Sequence, residues 1–378
     1  MIQPATELRR ADDLPTAPST LSMLSTPSTL ARPRLPRWAP LAVAVAALAV
    51  GGLLGLLLGW GWVAMLVVAG LIHIVGLPAW SRVLEGPRSA VDRLMTHLVW
   101  AAFAVVCVPL LWLLVMVVEK GAPQVTGHFL STSMRGVFGS MPGGILHAIQ
   151  GTVVVTLAAT VIAVPIGLMT AIYLIEYGRG GRLARVITFL VDVMTGIPSI
   201  VAGLFALALL VMFFGPAFRA GIGGAIALAL LMTPTVVRSA EEMLRLVPSD
   251  LREASYALGV PKWRTIVKVV MPTAIGGIVT GVVLAISRVV GETAPLLVTA
   301  GYNDSMNGNP FSGRMTTLPV FIFNQYKTPG ATALGAHAGD PPGYARAWAA
   351  ALVLIVIVMI LNLIARIIGT IFAPKLGR

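Results

Sequence analysis

Charge is scarce in this chain: Asp, Glu, Lys and Arg make up 11% of 378 residues, while 57% are hydrophobic. Soluble domains carry about 25% charged and about 45–50% apolar residues, so a water-facing globular fold is excluded and lipid is the expected solvent. Cysteine is nearly absent. The one thiol, Cys107, rules out a disulfide or a multi-cysteine metal site within the chain. It lies in an apolar run and reads as a small buried residue. The five histidines (His73, His97, His128, His147 and His337) fall on separate segments, so their spacing suggests no metal. There is no G-x-x-x-x-G-K-[ST] phosphate loop, no pairing of a nucleophile with a base, and no repeated ring of carbonyls or charges of the kind that filters ions. Neither an ATPase nor a membrane enzyme is expected, and a channel is disfavoured.

The net charge of +12 invites a nucleic-acid reading. The basic residues argue against it, because they sit in short loops between apolar runs and form no patch with interleaved aromatics. They follow the positive-inside pattern instead. With the N-terminus assigned to the cytoplasm, 20 of the 27 Lys and Arg residues fall on cytoplasmic segments and six on the opposite side. Both termini are then expected inside.

A spanning helix needs about 20 apolar residues. Eight candidates result: 39–59, 61–79, 97–118, 146–175, 186–214, 221–240, 269–300 and 346–372. The first two read as a hairpin hinged near Gly59 and Gly61, or as one broken segment. Trp38, Trp60, Trp62, Trp80, Trp100 and Trp348 lie near span ends, as interfacial aromatics do. The expected class is an all-α polytopic membrane protein. A Pro/Ser/Thr-rich stretch, 1–37, reads as a disordered cytoplasmic tail. An N-terminal hairpin and linker fill 38–96, a six-span core fills 97–372, and 373–378 is a cytoplasmic end. Residues 119–145 and 301–345 are long external loops.

The segment 248–268 is different in kind, being charged, cytoplasmic and helically periodic. Asp250 and Glu253 have capping-box spacing, Pro248 fits just ahead of the helix, and Gly259 can take the positive φ that ends it. Pro261 opens a second short helix, and Met271-Pro272 begins the next span. Glu253-Ala254, Gly259 and Pro272 stand at the spacing of the Glu-Ala-Ala…Gly…Ile-x-Leu-Pro loop, with Ser255, Val269 and Met271 as substitutions. This loop resembles the coupling loop of permease subunits in ATP-binding-cassette importers. Ile175–Gly180, Gly196–Leu204, Arg252–Gly259 and above all Ala285–Leu297 are similar to the PstA-type phosphate permeases.

That resemblance covers residues 97–372 and implies a type I importer permease moving inorganic phosphate. It implies a homologous PstC-like permease, two copies of an ATPase subunit, an extracytoplasmic phosphate-binding protein and surrounding membrane lipid as partners. This chain would itself bind no cofactor and no nucleic acid, leaving ATP and Mg to the ATPase. Glu253, Ala254, Gly259 and Pro261 would meet that ATPase. Other cargoes (phosphonate, sulfate, molybdate) and a signalling role are the competing functions.

Within the spans, Arg288 and Glu292 are four residues apart, the spacing of one helix face. Either they form a local ion pair, or Arg288 lines a phosphate pathway. An unpaired intramembrane Arg costs at least about 2.5–3.5 kcal/mol, and the resemblance favours the pathway. Arg238, followed by Glu241 and Glu242, is either a snorkelling helix end or a gate. Asp192 reads as a lone structural acid. Pro165, Pro198, Pro234, Pro272 and Pro295 break or end core spans, and Pro198 and Pro295, with Gly196 and Gly291, are expected hinges.

Overall fold

A computed structural model describes residues 35–138, 141–178, 180–330 and 341–371. Most of the expected N-terminal tail, the C-terminal segment 373–378, Arg179, and residues 331–340 of the second external loop with His337 lie outside the described residues. Every regular element among the described residues is helical. The chain divides into two compact units, Met1–Leu111 and Trp112–Arg378.

The first unit holds the hairpin α1 (Ala39–Leu58) and α2 (Trp62–Leu84) and the start of α3 (Pro87–Gly121). Gly59 turns the hairpin at φ 67°, where a side chain would be strained. The seam is made of small residues: a Cβ on Gly51 would lie 2.9 Å from the Met65 carbonyl oxygen. In lipid such seams replace the hydrophobic drive with close backbone approach. Between α2 and α3, the Glu85 carboxylate accepts from the Leu35 N–H (2.6 Å), the Ser81 hydroxyl (2.6 Å) and two Arg93 nitrogens (both 3.0 Å). Hydrogen bonds from Arg93, then Ser81 and Leu35, hold its pKa down at about 2. Cys107 is half-buried on α3, not sealed in a core, because that stretch of α3 turns most of its side chains outward.

The second unit continues through α4 (Gly127–Ser131), α5 (Leu146–Ile172), α6 (Arg182–Thr195), α7 (Ser199–Phe214) and α8 (Gly221–Arg245). It ends with α9 (Ser249–Ala257), α10 (Lys262–Thr265), α11 (Met271–Val290), α12 (Ala294–Thr299), α13 (Leu318–Lys327) and α14 (Pro342–Ile371). One π-helical turn, Tyr173–Tyr177, extends α5, and another, Ile266–Val270, leads from α10 into α11.

Among the described residues, seven helical stretches are long and apolar enough to cross a membrane. The expected continuous span at 186–214 is instead α6 and α7, bent by 110° at Gly196–Pro198. Pro198 has no N–H to donate and disfavours helical backbone at the residue before it. At 1.5 Å per residue, α6 and α7 are about 21 and 24 Å long, so neither alone matches a hydrocarbon core of about 30 Å. Together they make one crossing, and the packing of α5 against α8 requires it. Gly167 lies against Val236 and Gly224 against Val155, so the two helices run parallel. The chain between them must return over their full length.

Small residues build this core. Val155, Ala159 and Ala163 of α5 meet Ala225, Ala229 and Val236 of α8, all buried. α11 is antiparallel to α8, with Gly281 against Ser239 and Gly277 against Met243. The expected span 269–300 stops at Val290, and α12 starts after Gly291–Thr293. Continuing the helix would press the Pro295 ring on the Gly291 carbonyl; as the second residue of α12, Pro295 owes no N–H. The two broken segments meet: a Cβ on Gly203 of α7 would lie 2.6 Å from the Pro295 Cα. Gly203→Val is therefore expected to destabilise the fold by about 1–3 kcal/mol, read as a lower melting temperature of the purified protein; unchanged melting would contradict this close approach.

Candidate functional site

Pro248 (φ −57°, ψ 141°) delivers the chain into α9. The expected capping box is not formed: the helix begins at Ser249 with no side-chain cap, and Asp250 sits inside the first turn, where its charge complements the helix dipole. The end follows expectation. Gly259 has φ 74°, its N–H donates to the Tyr256 carbonyl (2.9 Å), and the Val260 N–H reaches the Ser255 carbonyl (3.2 Å). These two bonds are the Schellman pair. Pro261 then caps α10. The result is a helix–turn–helix elbow. Glu253, Ala254, Gly259 and Pro261 all lie on its exposed surface. Beside them are two large exposed apolar groups, Leu258, 83% exposed, and Trp263, 57% exposed with the Arg264 guanidinium 5.2 Å from its ring centroid. The Glu253 carboxylate has no partner among the described residues.

The other side of the elbow is clamped. Arg252 donates through Nε to Glu176 (3.0 Å), through Nη1 to the Val247 carbonyl (2.6 Å) and through Nη2 to the Leu244 carbonyl (2.9 Å). Glu176, on the π-turn after α5, is only 6% exposed. Lys262 donates to the Glu176 backbone carbonyl and sits 4.8 Å from the Tyr177 ring centroid. Ser255 and Thr265 share a buried 2.8 Å hydrogen bond that ties α9 to α10. The elbow is thus one rigid piece, joined to the ends of both α5 and α8. Sequence reasoning missed Glu176, although an acid closing an apolar span inside the motif Ile175–Gly180 was a usable signal.

A second charge cluster lies on α8. Arg238 donates to Glu241 (2.6 Å) and pairs with Asp192 of α6. Glu241 is 4% exposed and also faces Arg245 at 3.8 Å. Asp192 is therefore not a lone acid; the bend after α6 brings it to Arg238. The local ion pair weighed for Arg288 and Glu292 is absent. The helix ends between them, so their four-residue spacing no longer places them on one face, and neither side chain has a partner among the described residues. Arg288 is exposed. It lies seven residues beyond Gly281, which abuts Ser239, so it stands about 10 Å further along the bundle than Arg238. Gly196 and Gly291 do sit at the two breaks. Their backbone angles (φ −91° and −86°) are open to any residue, so the prolines, not the glycines, impose the bends. No cluster of three or more His, Cys, Asp or Glu among the described residues could hold a metal.

Residues 163–378 match the family described as "Binding-protein-dependent transport system inner membrane component". The phosphate transport system permease protein PstA 1 of Mycobacterium tuberculosis (strain H37Rv) is 48% identical over 293 residues, 77% of this chain and 91% of its own length. The chain belongs to the PstA family of these permeases. PstA of Mycobacterium leprae is 45% identical (73% of this chain, 88% of its own), and PstA of Yersinia pestis is 41% identical (70% and 84%). A solved inward-facing MetNI methionine ABC transporter aligns with 61% of this chain and 94% of its own at 20% identity, with a TM-score of 0.47. In this PstA-family chain the elbow, the Arg238 cluster and Arg288 all fall inside the matched region, and α1–α3 precede it.

Proposed function

We propose that this PstA-family chain is the permease subunit through which an ATP-driven importer moves inorganic phosphate across the cytoplasmic membrane into the cell. The likeness to a phosphate transport permease, 48% identical over 91% of that protein's length, carries the reading. The architecture agrees with it. Seven long apolar helices and one bent pair among the described residues, with Lys and Arg concentrated on the elbow side, support an orientation with both termini and the elbow in the cytoplasm. There the exposed Leu258, Trp263 and Glu253 offer a docking surface for a separate ATPase, which supplies ATP and Mg chemistry that this chain has no motif for.

Two ATPase copies, a PstC-like second permease and an extracytoplasmic phosphate-binding protein complete the proposed assembly. A short rigid helix is suited to pass a rigid-body displacement into the bundle. Arg238 and Arg288 supply cationic charge for an oxyanion path, and the breaks at Gly196–Pro198 and Gly291–Pro295 are its hinges. Uptake of radiolabelled phosphate by cells with and without the chain tests the function: loss of ATP-driven uptake is expected, and undiminished uptake overturns it. Glu253→Lys reverses charge on the elbow surface and is expected to lower the ATPase recovered by co-purification by roughly tenfold; recovery at the unaltered ratio would remove Glu253 from the interface.

A further inference from the structure

The Arg238 guanidinium serves two carboxylates from two helices, and they are held unequally. Glu241 is on the same helix, 4% exposed, and faces a second cation, Arg245. Asp192 comes from α6, its side chain is 59% exposed, and Arg238 is the one cation it meets among the described residues. A groove of about 310 Å³ lies between α6, α5 and α8, lined by apolar groups such as Ile166, Leu190 and Val237. A guanidinium fork presents the same donors to a carboxylate and to a phosphate. An intramembrane Arg needs one counter-charge, and the buried Glu241 already supplies it, so Asp192 is the carboxylate that can leave.

We infer that Asp192 is a displaceable counter-anion: its carboxylate holds Arg238 and latches α6 to α8 until a phosphate oxyanion takes its place and releases α6. Glu241 stays, because burial and Arg245 hold it. Asp192 is thus a positioning residue that acts on cargo through Arg238. This inference rests on the phosphate-permease reading above.

The whole importer, reconstituted in liposomes loaded with radiolabelled phosphate, gives the test. Without ATP, Asp192→Asn is expected to raise phosphate efflux about fivefold, the weight of one partly exposed charge pair. Asp192→Glu, which keeps the charge, is expected to restore retention. Efflux from the Asp192→Asn importer at the wild-type rate overturns the latch, and so does equal leakage from Asp192→Glu, which would mark a packing role alone. ATP-driven accumulation by the wild-type importer separates the two levels: if it occurs and Asp192→Asn behaves as wild type, only the latch falls. If it does not occur, the phosphate reading falls and the latch with it.

Discussion

Arg252→Ala is expected to destabilise the protein by about 3–5 kcal/mol, the range for removing one partner of a buried ion pair. The substitution strands the Glu176 carboxylate, 6% exposed, and leaves the Val247 and Leu244 carbonyls without their donor. Lysine is a poor substitute, because one ammonium cannot reproduce three bonds that leave a planar fork in different directions. The measurements are the melting temperature in detergent and hydrogen exchange across 249–265, where protection is expected to vanish first. A double variant, Arg252→Met with Glu176→Met, removes both charges and is expected to recover the part of the loss due to the stranded carboxylate, while the two carbonyls stay without a donor. Wild-type melting of Arg252→Ala would show that the elbow is held by something other than this clamp. In the assembled importer the same variant is expected to hydrolyse ATP while importing little phosphate, because the motor's push no longer reaches α5.

Arg288→Ala is expected to do the reverse: leave the fold alone and lower ATP-driven phosphate uptake by about 100-fold, or about 2.7 kcal/mol at 1.36 kcal/mol per factor of ten. Arg288 is exposed and touches no polar partner among the described residues, so its removal opens no cavity and orphans no internal group. A cation kept in an apolar span with no partner among the described residues is an expected functional site, and the proposed cargo is an anion. Initial uptake rates, with co-purification of the other subunits as the assembly control, decide the matter. Uptake at the normal rate would remove Arg288 from the pathway.

Hydropathy, glycine and proline were enough to read seven of the eight expected spans as apolar helices, one of the two readings offered at Gly59, and the elbow with its Gly259 terminus. Direction was not legible. Residues 186–214 stay apolar through the Gly196–Pro198 bend, so a running average sees one span where the backbone turns by 110°. Spacing also misled at Arg288 and Glu292, because residue arithmetic assumes a helix that in fact ends at Val290. The two decisive ion pairs join residues far apart in sequence, Asp192 with Arg238 and Glu176 with Arg252. No periodicity within one element carries such a pairing; it follows from which helix ends the fold brings to the same level.

The parallel seam of α5 and α8 has a kinematic consequence. With Gly167 against Val236 and Gly224 against Val155, the seam is filled at both glycines, a packing suited to a pair that keeps its register as one strut. Under the proposed function, alternating access would then draw its degrees of freedom from the two proposed hinges, the break between α6 and α7 and the one between α11 and α12. Because Gly203 rests on Pro295, a turn at either proposed hinge would press on the other.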